Sequence, residues 1–189
     1  MPAAELAAVV LAGGRGTRMG GVDKGWAAYR GRPLIAWVLD AIAPQVGEVV
    51  ISANRSLDRY AATGHRVLPD SLPDFPGPLA GVLVAMRAVA APWLLVVPCD
   101  TPHLPGDLAA RLLAGAREAG QPLAVAADDA RVHHTTFVVQ TRLAEDLEAF
   151  LARGERAVHR WQAAHAPAVV PFAAAGFVNL NTLPADARD

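Results

Sequence analysis

The chain has little cysteine, no excess of basic charge and no long apolar run. Cys99 is the single cysteine among 189 residues, which excludes an internal disulfide and a zinc site built from several cysteines. The 17 basic and 18 acidic side chains give a formal net charge of −1, whereas a polynucleotide partner demands a basic face. We therefore expect no nucleic-acid partner.

The N-terminal segment also lacks the features of an export signal. MPAAELAAVVLAGG contains an acid but no basic residue, and its apolar run is short. No apolar stretch of the sequence reaches the length needed to span a bilayer. Hydrophobic residues make up 53% of the chain and charged residues 19%, as is typical of a globular core. We expect a cytoplasmic protein without a membrane partner.

Apolar runs alternate with helical patterns along most of the chain. The predicted strands are AAVVLAG, EVVISAN, HRVLPD, WLLVVPCD, LAVAA and TTFVVQ. The predicted helices are PLIAWVLDAIAPQ, a short piece capped by Ser56, LAGVLVAMRAVA, PGDLAARLLAGAREAG and RLAEDLEAFLARG; GFVNLNT is a late strand or turn. This alternation predicts an α/β fold: a single Rossmann-like three-layer domain over residues 1–189, with a mostly parallel sheet covered by helices on both faces.

The first strand runs directly into a glycine-rich loop, VVLAGGRGTRMGGVDKG. The loop does not match the dinucleotide fingerprint, because Met19 occupies the third glycine position of a motif that would begin at Gly14 and Gly16. It does not match the Walker pattern either, because Lys24 follows Asp23 and precedes a glycine. The sequence therefore argues against a nicotinamide-dependent oxidoreductase and a P-loop ATPase.

The composition of this loop nevertheless suits phosphate. Glycines such as Gly13 and Gly14 let backbone N–H groups approach an anion closely. The loop also contributes three cations: Arg15, Arg18 and Lys24. The planar guanidinium groups of the arginines and the compact ammonium group of the lysine both suit phosphate oxygens. The alternative is an ordinary glycine-rich turn with solvated charges. We interpret the loop as a polyphosphate site.

A carboxylate follows the most apolar strand of the sequence. Asp100 comes directly after LLVVPC, at the carboxyl end where α/β proteins place ligand groups. Such a hard oxygen suits Mg²⁺, which takes only one or two protein carboxylates. The alternative is a turn aspartate that caps the next segment. The neighbouring Cys99 is interpreted as strand packing.

The ordered set of motifs resembles a known family over nearly the whole chain. LAGGRGTRMGGVDKG resembles the signature of nucleotidyltransferases of the molybdenum-cofactor and sugar-nucleotide type. With GPLAGVLVAM, PCDTPHLPGDLAARL and FVNLNT in order, the chain resembles the molybdenum cofactor guanylyltransferases. The resemblance implies Mg²⁺-dependent transfer of GMP from GTP to Mo-molybdopterin, with release of pyrophosphate. A cytidylyltransferase acting on the same cofactor and a non-catalytic nucleotide or cofactor carrier stay open.

The resemblance also implies roles for individual residues and for the two parts of the domain. Residues 1–105 would bind GTP and residues 106–189 the acceptor, with transient contacts to molybdenum-cofactor biosynthesis proteins and molybdoenzyme chaperones. The catalytic residues would be Arg18, Lys24 and Asp100, with Asp100 holding the metal. The GTP-binding residues would be Leu11, Ala12, Gly13, Gly14, Lys24, Asn54, Asp70, Gly77 and Asp100. The acceptor-binding residues would be Asn179, Asn181 and His133.

Simple chemistry is compatible with the nucleotide-binding assignments. Asn54 and Asp70 each end a predicted strand, and an amide or carboxylate oxygen can accept from the N1–H and N2–H₂ donors of guanine. Gly77 and Pro78 open a predicted helix, whose first N–H groups are free for a nucleotide. The alternatives are a turn residue for Asn54 and a plain loop-to-helix junction at Gly77.

The acceptor-side assignments depend on strand geometry. Asn179 and Asn181 alternate and would share one face of an extended segment, where two amides could bind a pterin edge; a polar strand edge is the alternative. His133 and His134 are adjacent and would point to opposite faces, which makes them poor ligands of one ion. His134 stands where the family usually has proline, and Trp26 where we expect leucine.

Overall fold

A seven-stranded sheet forms the centre of the protein. The computed structural model describes residues 5–13, 23–69 and 77–178. In spatial order the strands of the sheet are β5 (Arg66–Leu68), β4 (Glu48–Ser52), β1 (Leu6–Leu11), β6 (Trp93–Pro98), β8 (Val132–Gln140), β7 (Leu123–Ala127) and β9 (Ala168–Pro171). A separate two-stranded hairpin contains β2 (Ala28–Tyr29) and β3 (Arg32–Pro33).

The first half of the sheet is parallel. β1 pairs with β4 on one side and β6 on the other, so that Val9 lies opposite Val50 and Val96, and β5 extends this part beyond β4. β8 is antiparallel to both β6 and β7, whereas β9 is parallel to β7. The carboxyl ends of β1, β4, β5 and β6 therefore share one edge of the sheet.

Helices cover both faces of this sheet. They are α1 (Leu34–Ile42), α2 (Leu57–Ala61), α3 (Pro78–Ala88), α4 (Leu108–Glu118), α5 (Ala144–Ala152) and α6 (Val158–Ala163). One core contains Leu6, Ala8 and Val10 of β1 with side chains of α1 and α4, and the other contains Ala7 and Val9 with side chains of α3, α5 and α6. Because alternate residues of a strand point to opposite faces, β1 is apolar throughout. The predicted fold class is confirmed.

Several local features differ from the sequence prediction. The β2–β3 hairpin, α6 and β9 carry no strong pattern in the sequence, and the second half of the sheet is antiparallel around β8. Ser56 occupies the N-cap position of α2, but in the left-handed region at φ 50° and without a side-chain capping hydrogen bond. The described part of GFVNLNT is residues 176–178: the last two residues of a 3₁₀ turn, Ala174–Phe177, and the extended Val178 that follows it. Within the described ranges, no helix combines the length and apolarity that crossing a membrane requires.

Candidate active site at the carboxyl edge of the sheet

The ends of three neighbouring strands bring most of the described candidate residues to one edge. The Ala12 N–H donates to the Ser52 carbonyl at 2.8 Å, and the Cys99 N–H donates to the Leu11 carbonyl at 3.1 Å. These hydrogen bonds extend the ladder past the ends of β1, β4 and β6, so the segments that follow them start side by side. Asn54 and Asp100 lie one or two residues further along.

At the end of β1, the backbone passes from the buried core to an exposed residue within three positions. Leu11 is half-buried, Ala12 is buried and Gly13 is exposed. Asn54, beyond the end of β4, is exposed as well. The backbone of β1 thus comes to the surface at the point where the glycine-rich loop begins, which suits a segment that offers backbone contacts to a ligand.

Lys24 and Asp100 form the central contact of this edge. They are 76 positions apart in sequence, and the Lys24 ammonium group forms an ion pair with Asp100 Oδ2. The Asp100 side chain is only 5% exposed, whereas that of Lys24 is 30% exposed. Lys24 is the only lysine in the sequence. The fold therefore brings a compact, partly exposed cation to a buried carboxylate.

A short turn holds Lys24 in this place. Lys24–Trp26 is a 3₁₀ turn capped by Asp23, whose Oδ1 accepts from the Gly25 N–H at 3.3 Å. The Tyr60 hydroxyl of α2 donates to the same oxygen at 2.6 Å. The turn is therefore fixed to α2 through a single carboxylate oxygen.

The second carboxylate oxygen of Asp100 makes the site suitable for a cation. Oδ1 is buried and has no hydrogen-bond partner among the described residues. A buried carboxylate oxygen without a partner is costly unless a ligand completes it. No group of three or more His, Cys, Asp and Glu side chains that could hold a metal occurs in ranges 5–13, 23–69 and 77–178. This arrangement fits Mg²⁺, which takes one or two carboxylates and completes its shell with water and substrate phosphates.

Cys99 is part of the strand packing, as the sequence indicated. Its side chain is buried, at 4% exposure. Burial, followed by the charge of Asp100, raises the pKa of the Cys99 thiol to about 12. A thiol that stays protonated at neutral pH is a poor nucleophile, so Cys99 does not take part in the chemistry of this edge.

The N-terminus of α3 packs directly against the strand ends. Gly77 precedes the helix with φ +125°, a conformation that favours glycine, and Pro78 is the first helical residue. A Cβ atom placed on Gly81 would meet Ser52 Cβ at 3.0 Å and Leu11 Cδ2 at 3.2 Å. The absence of a side chain at Gly81 thus lets the first turns of α3 approach the edge where β1 and β4 end.

A cavity of about 200 Å³ lies beside this edge, between the ends of β6 and β8. It is lined by Pro98, Thr101, residues 131–136 and Phe177. Its lining residue Thr101 follows Asp100 directly in sequence, so the cavity lies at the end of the same strand. Two larger cavities lie elsewhere. The one of about 310 Å³ is lined by the N-terminal ends of β4 and β5, and the one of about 550 Å³ is lined by α4 and β9. Neither is lined by a predicted site residue.

His133 forms one wall of the smaller cavity. Its ring stacks on Phe177, with centroids 4.3 Å apart and planes at 18°, and its Nε2 lies 2.9 Å from Asp128 Oδ2. The Ala130 backbone N–H, followed by His133, holds the pKa of Asp128 below its ordinary value. His134 bonds instead to the Gln162 side chain at 2.7 Å. The two histidines thus have different partners and do not share a ligand.

Five of the predicted site residues cannot be placed in this geometry. Arg18, Gly14, Asp70, Asn179 and Asn181 lie outside the described residues. Of the others, the structure brings Lys24 and Asp100 into contact, and the segments that hold Leu11, Ala12, Gly13, Asn54 and Gly77 reach the same edge.

The sequence prediction missed some residues of this region. Asp23 was treated as part of the loop motif, and neither Tyr60 nor Asp128 carries a sequence signal beyond its residue type. Phe177 belongs to the FVNLNT motif, in which the sequence predicts a role only for the two asparagines. Trp26, in place of the expected leucine, packs on the Tyr60 ring at 5.2 Å between centroids and beneath the Arg59 guanidinium at 4.1 Å.

A mostly parallel sheet with a buried carboxylate paired to a lysine at its carboxyl edge defines a class, the nucleotide-binding α/β proteins. The profile of the MobA-like NTP transferase domain matches residues 8–168. The chain belongs to this family of nucleotidyltransferases.

Curated relatives and solved structures agree with this assignment. The molybdenum cofactor guanylyltransferase of Acidovorax sp. (strain JS42) is 46% identical and that of Ralstonia nicotianae 42%; the alignments cover 95% and 97% of this chain, and 92% and 95% of the relatives. The crystal structure of molybdopterin-guanine dinucleotide biosynthesis protein A from Archaeoglobus fulgidus matches with a TM-score of 0.73, covering 94% of this chain and 92% of that one. At 22% identity, that structural match supports the fold alone.

Proposed function

We propose that the protein transfers GMP from GTP to the phosphate of Mo-molybdopterin, forming the guanine dinucleotide cofactor and pyrophosphate. The ion pair between Lys24 and Asp100 at the carboxyl edge of the sheet is the observation that carries this proposal. The curated relatives are named molybdenum cofactor guanylyltransferases, which supports a guanylyl donor and this cofactor as acceptor. The cytoplasmic location expected from the sequence is part of this proposal.

The reaction requires charge neutralisation more than proton transfer. The nucleophile is a phosphate monoester oxygen, whose second pKa near 6 leaves it largely ionised at neutral pH. A bond forms between this oxygen and the α-phosphorus of GTP, while the bond from the α-phosphorus to the bridging oxygen breaks. The electron pair leaves with pyrophosphate. No general base is needed, and catalysis consists of positioning and electrostatic stabilisation.

Lys24 and Asp100 are suited to this task. The Lys24 ammonium group would exchange Asp100 for the phosphates of GTP, with Arg18 as a second cation. Asp100 would hold Mg²⁺ through the buried oxygen that has no partner in the described part of the chain. The metal would neutralise charge that develops on the phosphates as pyrophosphate leaves.

The remaining nucleotide contacts follow from the sheet edge. The backbone of residues 11–14 would approach the phosphates, and Gly77 would present the first turn of α3 to the nucleotide. Asn54 and Asp70 would contact the base or ribose, where an oxygen acceptor selects guanine over adenine.

The cavity beside Thr101 is the proposed acceptor site. His133 lines it with a ring that Asp128 and Phe177 hold in place, and Asn179 and Asn181 would supply amides to the pterin. Because the reaction needs no general base, we assign the ring, held through Nε2 by Asp128, to the wall of the acceptor site. The division into a GTP-binding part (1–105) and an acceptor-binding part (106–189), and contacts with cofactor-biosynthesis proteins and molybdoenzyme chaperones, stay predictions.

Pyrophosphate release tests the proposal. The purified chain is given Mo-molybdopterin with GTP, CTP or ATP, with Mg²⁺ or with excess chelator, and reactions without acceptor are the control. We expect release that requires acceptor and metal and that is fastest with GTP. Faster release with CTP would identify a cytidylyltransferase, and tight GTP binding without release would identify a carrier.

A further inference from the structure

The contacts around Tyr60 form an unbroken path to the proposed catalytic pair. Tyr60 is fully buried on α2, and its hydroxyl donates to Asp23 Oδ1 at 2.6 Å. The same oxygen caps the turn that contains Lys24 by accepting from the Gly25 N–H. The path ends at the ion pair between Lys24 and Asp100. Each step is a direct contact between described residues.

The surroundings of Tyr60 leave its ring little freedom. A Cβ atom on Gly25 would come within 3.2 Å of two Tyr60 ring carbons and closer still to the hydroxyl. The Trp26 ring packs on the Tyr60 ring, with the two ring centroids 5.2 Å apart. The Thr63 hydroxyl donates to the Tyr60 backbone carbonyl at 2.6 Å. The phenol group is therefore fixed against the turn rather than free to rotate.

Two consequences for Lys24 follow from this arrangement. Burial, followed by the hydrogen bond to Asp23, raises the pKa of Tyr60 far above its ordinary value, so its hydroxyl remains a donor at every working pH. Asp23 is also the acid next to Lys24 in sequence and would compete with Asp100 for the ammonium group if it were released from the cap. The Tyr60 hydrogen bond opposes that release.

We propose that Tyr60 is a positioning residue for Lys24: its hydroxyl holds Asp23 in the cap of the Lys24–Trp26 turn and thereby keeps the Lys24 ammonium group at Asp100. The inference rests on the proposed function only for its effect on turnover. The placement of Lys24 itself can be measured without substrate.

The sole lysine of the chain provides that measurement. Acylation of Lys24 by an amine-selective ester is followed by mass spectrometry of its peptide, in wild type and in Tyr60→Phe, which removes only the hydroxyl. We expect Tyr60→Phe to acylate about fivefold faster, the factor that one typical hydrogen bond represents. Tyr29→Phe is the matched control, because Tyr29 is also buried and its hydroxyl bonds elsewhere, to His103 at 2.8 Å; its acylation rate should equal that of wild type.

Turnover gives the second readout through a double-mutant cycle. Tyr60→Phe should lower kcat for pyrophosphate release by about tenfold or more, as for loss of a hydrogen bond to a charged group. In a Lys24→Ala background the same substitution should change kcat by less than about twofold, because the residue it acts through is gone. A merely structural role would instead lower kcat by the same factor in both backgrounds.

Two further variants keep the test decisive if Tyr60→Phe folds poorly. Asp23→Ala removes the acceptor and should reproduce the faster acylation of Lys24. Asp23→Asn keeps an oxygen for both hydrogen bonds and should acylate like wild type. Equal acylation rates in wild type and Asp23→Ala would overturn the proposal, as would an unchanged rate in a folded Tyr60→Phe protein. Because acylation needs no substrate, absence of guanylyl transfer alone would contradict only the proposed function.

Discussion

Replacing Asp100 with asparagine separates stability from catalysis. The substitution keeps the size of the side chain but removes its charge, and with it the ion pair to Lys24. The pair stabilises the fold only modestly, about 1 kcal/mol, because Lys24 is partly exposed. Against this, the substitution relieves the cost of burying a charged carboxylate whose second oxygen has no partner among the described residues. The two effects oppose each other, and the amide oxygen of asparagine can still accept from the Lys24 ammonium group.

We therefore expect Asp100→Asn to fold with almost unchanged stability. At this chain length 1 kcal/mol corresponds to about 2–4 °C, so its Tm should lie within about 4 °C of wild type. Turnover should fall by at least about 10²–10³, the effect of removing one oriented electrostatic group from a transition state. GTP affinity should fall by less than about tenfold, since most contacts to the nucleotide remain.

The assay combines three measurements on one preparation. Thermal unfolding gives the Tm, calorimetric titration gives GTP affinity, and pyrophosphate release at saturating Mo-molybdopterin gives turnover. Asp107→Asn is the matched control: the same change at a side chain that is 60% exposed and paired with Arg111 at 3.6 Å. Equal losses of GTP affinity and turnover in Asp100→Asn, or wild-type activity in excess chelator, would refute the reasoning.

Three further outcomes follow from individual contacts. His133→Ala should retain turnover within about tenfold, because no base is needed; a steady-state assay that finds it inactive would contradict this. Gly81→Ala should lower the free energy of unfolding by about 1–3 kcal/mol in urea titrations, whereas Gly106→Ala, whose Cβ would meet nothing within 4 Å, should not. Burial opposes the shift, but hydrogen bonds from Trp161 and His165 hold the pKa of Asp146 below its ordinary 3.8. The ionised Asp146 carboxylate therefore stabilises the fold above pH 3.8, and this stabilisation is lost as the pH falls below that value. The Tm values of wild type and Asp146→Asn should differ at pH 7 and converge in acid. A Tm difference that does not change with pH would contradict this prediction.

The sequence predicted the parallel half of the fold well, because both faces of those strands are buried. The runs that became β1 and β6 are continuously apolar and that of β4 is apolar at its centre, and helical periodicity follows each of them. The second half was harder. In β8, which begins at Val132, the polar residues His133 and His134 obscure the start of the strand. β9 has only four residues, with Val169 exposed by 56%. In the β2–β3 turn, Arg30 adopts the left-handed conformation at φ 48°. Glycine is the residue that usually marks this conformation in a sequence, so the turn could not be predicted.

The candidate site was predictable where chemistry demanded a residue type. Lys24 and Asp100 were singled out as a cation and a metal ligand, and the fold then placed them in contact. The residues that hold Lys24 could not be predicted in this way. Tyr60 looks like a core tyrosine, and its role depends on a hydrogen bond to a residue 37 positions away. Positioning by such contacts is a property of the tertiary structure and leaves no local pattern.

The central claim is that Lys24, together with the Mg²⁺ that Asp100 would hold, neutralises the charge of two anionic ligands as they react. Its most direct test is the single-turnover rate of GMP transfer by Lys24→Ala, with GTP and Mo-molybdopterin both saturating. We expect a rate at least about 10²-fold below wild type in a protein that stays folded at the assay temperature, although loss of the ion pair lowers its Tm. A rate within about threefold of wild type would contradict the account.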